Sequence, residues 1–307
     1  MKGPETMSVK PAAAAPMGAS SAETPSGKGP GDENFPVGSL LIAVDLRPHV
    51  LCYYGFARAI DDIADNPDLA SDEKIRRLDA FEAALRDAAE LAPGFEKAAA
   101  LRQSLDETGV PDRHARDLVA AFRQDAVKLR YRNWNELVGY CELSANPVGR
   151  FLLDLHGESP EAVPASDALC TALQVLNHLQ DCGEDYRRLD RVYLPMDWMD
   201  AAGAQVEDLA GSALTPGLRR VLDFVLAECD TLLAQAAALP PRLRSRRLAA
   251  ESAVIIALAR RISARLKRED PLAGRVALSK PAMVVVGAAA GLRSLAQSSF
   301  PSTGRRT

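Results

Sequence analysis

The octapeptide RAIDDIAD, residues 58–65, decides how this chain is read. It closes an apolar helical run, CYYGFARAI (52–60), yet carries Asp61, Asp62 and Asp65. Buried carboxylates are costly unless a cation meets them. On a helix Asp61 and Asp65 share one face, with Asp62 about 100° away. Two carboxylates one turn apart repel unless something screens them.

A second acidic stretch supplies the other half of the pattern. In LNHLQDCGEDYRRLDRVYLP (176–195), Asn177, Asp181 and Asp185 fall at i, i+4 and i+8, with Glu184 beside them. The intervening Leu173, Leu176 and Leu179 would face a core. Both stripes thus begin on helices whose other faces are apolar. Hard oxygen donors in such number suit Mg²⁺, with Mn²⁺ able to stand in, rather than a metal that prefers nitrogen or sulfur. Two facing acidic helices could hold several such ions, and those ions could clamp a diphosphate. Arg58, Arg187, Arg188 and Arg191 lie near the stripes, with Arg275 and Lys280 further on in GRVALSK, and Arg and Lys bind phosphate oxygens well.

Outward from these stretches the chain reads as helix. Ala, Leu, Arg, Glu and Asp recur at helical spacing, and alternating β-branched runs are nearly absent. The spacing predicts helices over 39–65, from an N-cap at Ser71, over 94–108, from Pro111-Asp112, over 134–156, and from Ser166 or Asp167 to about 186. After a loop at 192–212, three more are expected over 215–238, 242–268 and 273–297. The expectation is one all-α domain of eight to ten helices over 31–297. Residues 1–30 read as a low-complexity disordered tail and 298–307 as a flexible C-terminal tail.

Bulk properties exclude other classes. The 307 residues are 47% hydrophobic and 25% charged, with net charge −4 and a pI near 5.7. No basic field draws the chain to nucleic acid. The five cysteines, Cys52, Cys141, Cys170, Cys182 and Cys229, show no CxxC pair and read as reduced thiols of a cytoplasmic protein. No run reaches the roughly 18 apolar residues of a membrane span. The run AMVVVGAAAGL (282–292) and the basic PRLRSRRL (241–248) leave room for peripheral contact with the inner face of a membrane.

FARAIDDIAD and LNHLQDCGEDYRRLDRVYLP resemble the two aspartate-rich regions of the squalene/phytoene synthase family, and YCELSANPVGRF (140–151) resembles the segment between them. The resemblance covers about residues 33–295. It implies the isoprenoid synthase fold, a single helical domain around a central cavity that is acidic at its mouth and apolar below. It implies that Asp61, Asp65, Asn177, Asp181 and Asp185, with Asp62 beside them, hold Mg²⁺. Tyr54, Arg58, Arg191, Tyr193 and Arg275 would meet a prenyl diphosphate, and Tyr140 would steer a carbocation or its proton. Asp61, Asp65, Tyr140, Asp181 and Asp185 would be the catalytic set.

A narrower resemblance, to the HpnC-type hydroxysqualene synthases of hopanoid biosynthesis, rests on DENFPVGS (32–39), RPHV (47–50) and the stretch FRQDAVKLRYRNWNELVGYCELSANPVGR (122–150). Gln180 stands where many condensing relatives carry Arg. This branch implies a lyase that ionises presqualene diphosphate and ends with water rather than with hydride from NADPH, alongside other enzymes of the hopanoid pathway. Head-to-head condensation of two prenyl diphosphates is the alternative reading. A non-catalytic assembly factor of the same fold is a third.

Overall fold

Pro48 sets where the first helix begins. Its fixed φ and missing N–H suit the first helical turn. The computed structural model describes residues 42–86 and 94–279, and in it α1 runs Arg47–Ala64. The expected start at 39 is therefore too early within the described part: residues 42–46 are bends and turns.

Nine further α-helices follow among the described residues: α2 (Ser71–Arg86), α3 (Glu96–Thr108), α4 (Arg113–Asp125), α5 (Trp134–Ser144), α6 (Asn146–Leu155), α7 (Val163–Leu189), α8 (Met196–Ala202), α9 (Pro216–Ala236) and α10 (Arg246–Leu266). The single helix expected over 134–156 is two. Ala145, at φ −123° and ψ −47°, leaves helical geometry, and Pro147 then sits in the first turn of α6. A proline there removes one donor and would clash with the preceding turn of a continuous helix. The expected loop after α7 contains α8 and a strand: β1 (Arg130–Tyr131) pairs in parallel with β2 (Val192–Pro195). The helix expected from 273 does not begin by 279, and its remainder lies outside the described residues, as do AMVVVGAAAGL and both proposed tails.

The helices pack into two apolar clusters. One joins α1 to α4 and α6 through Phe56, Ile60, Ile63, Phe81, Leu101, Leu118 and Phe151. The other is built on α5, α7, α9 and α10 around Leu137, Leu176, Leu179, Val225 and Ile262. Gly149 permits the close crossing of α6 and α7, where a Cβ would stand 2.4 Å from Ser166 Oγ and 2.7 Å from Cys170 Sγ. The acidic ends of α1, in the first cluster, and α7, in the second, line one cavity at the seam between them. No described helix is long and apolar enough to cross a membrane.

Candidate active site

Asp190 turns the chain back toward this seam. It follows α7 in a left-handed conformation, φ 51°, which Asp tolerates better than most side chains. Arg130 donates to both its carbonyl and its carboxylate. The reversal delivers Arg191 and Tyr193 to the wall of a cavity of about 770 Å³.

α1 contributes Arg58, Asp61 and Asp65 to that wall, α4 contributes Asp125, and α5 contributes Tyr140 and Ser144. Asn177, His178, Gln180, Asp181, Glu184 and Asp185 come from α7, and Arg275 from the segment after α10. Both acidic stripes thus face one space.

Arginines hold the first stripe. Arg58 Nη1 lies 2.7 Å from Asp61 Oδ2, and Arg58 Nη2 lies 2.5 Å from Asp62 Oδ1. Asp65 is held by Arg191 at 2.5 Å, with Arg188 at 3.7 Å. Burial and the neighbouring Asp65 still push the Asp61 carboxyl well above its usual range, against the opposing pull of Arg58. Burial and Asp185 push Asp181 up in the same direction. Carboxylates that are poorly solvated and close to one another would be stabilised in their charged form by an added cation.

Two expected residues stand elsewhere. Asp62 is buried and turned to Arg58, and it does not line the cavity, as its position off the Asp61–Asp65 face requires. Tyr54 lines a second, apolar cavity of about 260 Å³ with Tyr53, Ala57, Phe151, Leu169 and Leu173. That cavity lies one turn earlier on the same two helices: Tyr54 stands four residues before Arg58, and Cys170 four before Gln174.

Tyr193, expected at the diphosphate, donates its hydroxyl to Asp125 Oδ1 at 3.0 Å, and Tyr140 donates to Asp125 Oδ2 at 2.6 Å. Asp125 went unnoticed in the sequence because it is a lone acid at the end of an amphipathic helix. His178 stacks on Tyr193, with centroids 3.6 Å apart and planes 12° apart, and its Nδ1 lies 3.7 Å from Asp185 Oδ2.

Three or more His, Cys, Asp or Glu side chains do not cluster into a preformed metal site among the described residues. The donor chemistry nevertheless fits a hard divalent cation: the stripes offer only carboxylate and amide oxygens, and burial, with a neighbouring carboxylate, pushes two of the carboxyls up.

A family model described as squalene/phytoene synthase matches residues 29–282. The hydroxysqualene synthase of Rhodopseudomonas palustris is 46% identical over 92% of this chain and 95% of its own length. That of Sinorhizobium fredii is 44% identical over 88% and 91% respectively. Among solved structures, the squalene synthase HpnC of Alicyclobacillus acidocaldarius superposes with a TM-score of 0.67 at 33% identity, covering 76% of this chain and 87% of that one.

Proposed function

Because the chain belongs to the squalene/phytoene synthase family and has its isoprenoid synthase fold, we propose that it converts presqualene diphosphate to hydroxysqualene and diphosphate. The observation that carries this reading is the placement of the two cavities: α1 and α7 line an acidic, arginine-bearing space for a diphosphate and, one turn earlier, an apolar space. The high identity to two hydroxysqualene synthases supports this branch over a condensing one.

In this reading Asp61, Asp65, Asn177, Asp181 and Asp185 hold Mg²⁺. The metal, when bound, neutralises charge developing on the leaving diphosphate. Arg58, Arg188, Arg191 and Arg275 bind and orient the same group. Arg forks suit phosphate oxygens, and Arg191 is itself oriented by Asp65 and the Ala64 carbonyl. Tyr54, Phe151 and Leu173 line the space for prenyl chains and keep bulk water from the cation.

The carbon–oxygen bond to diphosphate breaks with its electron pair leaving on oxygen. The cyclopropylcarbinyl cation then opens and rearranges. A water oxygen forms the new carbon–oxygen bond and gives up one proton; the carbon–oxygen bond broken at the diphosphate is what makes the enzyme a carbon–oxygen lyase. We assign the catalytic body to residues 31–297. Peripheral membrane contact belongs to the same reading, since the product is oily and PRLRSRRL is basic.

The test supplies purified chain and Mg²⁺ with presqualene diphosphate or with farnesyl diphosphate. Diphosphate release and a thirty-carbon alcohol from the former, with slow turnover of the latter, are expected. Efficient product from farnesyl diphosphate alone would replace this reading with the condensing one.

A further inference from the structure

Asp125 ends α4 and is 3% exposed. Each of its carboxylate oxygens accepts one phenol hydrogen bond, from Tyr140 of α5 and from Tyr193 of β2. A phenol has one proton and two lone pairs. With both protons committed to Asp125, both phenol oxygens can only accept hydrogen bonds from anything in the cavity. Tyr131 braces the pair: its ring centroid is 5.4 Å from Tyr140 and 5.5 Å from Tyr193, and those two rings are 5.5 Å apart. The carboxylate is therefore a clamp on two cavity-lining rings that arrive from separate elements.

We propose that Asp125 is a positioning residue that turns Tyr140 and Tyr193 into a paired acceptor for the water molecule that ends the reaction. This inference rests on the reading under Proposed function. Two phenol oxygens bound to one carboxylate are neighbours, and a water donating to both keeps a lone pair for the carbocation. That lone pair forms the new carbon–oxygen bond. The water's proton passes to a phenol oxygen, and that phenol's own proton passes to Asp125. Asp125 ends as the neutral acid and later returns its proton to solvent.

The electrostatic surroundings agree with this sequence of transfers. Burial pushes the Asp125 carboxyl up to about 6 against the pull of Arg191 and the two phenol hydrogen bonds, and the Asp65 charge adds to the rise. Burial keeps both phenols neutral, well above their usual range. The route delivers water at one point and leaves the apolar remainder of the cavity dry.

The experiment measures two quantities in parallel on the full chain with Mg²⁺ and presqualene diphosphate. They are the rate of diphosphate release and the alcohol share of the thirty-carbon products. Asp125→Asn should release diphosphate within about threefold of the parent while its alcohol share falls about tenfold or more, replaced by hydrocarbons formed by proton loss. Asp125→Glu should recover much of the alcohol share. If Asp125→Asn does not fold, Tyr140→Phe with Tyr193→Phe removes both acceptors and should lower the alcohol share of the products about tenfold or more, whatever its rate of diphosphate release. An unchanged alcohol share, or equal loss of diphosphate release and alcohol in a folded variant, would overturn the proposal. A parent chain that makes no alcohol would instead overturn the functional reading beneath it.

Discussion

Arg191 reaches from the link between α7 and β2 to the end of α1, with Nη1 at 2.5 Å from Asp65 Oδ1 and Nη2 donating to the Ala64 carbonyl at 2.8 Å. One guanidinium thus ties together two segments 126 residues apart at the mouth of the polar cavity. Its side chain is only 5% exposed, so it holds its charge in a poorly solvated place.

Arg191→Ala should therefore cost stability as well as substrate affinity. Removing one partner of a buried pair costs about 3–5 kcal/mol, and partial solvation of Asp65 lowers this to about 2 kcal/mol. Urea denaturation reads the first effect. Arg191→Lys keeps the charge but loses the fork, so KM for the diphosphate substrate should rise about tenfold with the fold intact. Unchanged KM in Arg191→Lys would remove Arg191 from the diphosphate site.

Asp61→Asn and Asp181→Asn should each lower turnover by about two orders of magnitude or more while leaving the melting temperature equal or higher. The sign for stability follows from burial and like charge, which oppose ionisation of both groups in the folded chain. Circular dichroism melts and steady-state turnover check the two halves separately. Near-normal turnover would show that neither residue holds metal.

Gln180 donates from its buried side-chain amide to the Val276 carbonyl, next to Arg275. Arg265 holds the following carbonyl, of Ala277, and Gly183 lets Leu272 lie against α7. Gln180→Leu should cost about 1 kcal/mol and loosen the segment that carries Arg275. Its effect on KM should then be less than additive with Arg275→Ala in a double-mutant cycle. Full additivity would separate the two residues.

The two acidic stripes were legible because carboxylates four apart on an apolar helix are a local signal that survives folding. Helix content was legible for the same reason, and the break at Ala145 could have been taken from Pro147. Asp125 was not legible. Its meaning comes from two tyrosines, 15 and 68 residues away, that only tertiary packing brings to it. Tyr54 stands on the apolar cavity rather than beside Arg58 and Asp61, because helical spacing does not say how far along α1 the polar lining extends.

Asp125 also gives a pH prediction. Its folded value near 6 lies above its ordinary value of 3.8, so the folded chain binds its proton more tightly than the unfolded chain does. Stability from this group is therefore full below pH ~4 and is lost as pH rises through 6, by at most about 3 kcal/mol. The stability gain of Asp125→Asn over the parent should grow between pH 4.5 and 7.5, as read by urea midpoints on both proteins. A pH-independent difference would contradict the burial argument.

The central claim is that water terminates the reaction in this cavity. The most direct measurement incubates purified chain, Mg²⁺ and presqualene diphosphate in ¹⁸O-labelled water, with and without NADPH, and weighs the extracted products by mass spectrometry. The account predicts a thirty-carbon alcohol carrying the label, in equal yield under both conditions. Squalene formed only when NADPH is present, or an alcohol without label, would contradict it.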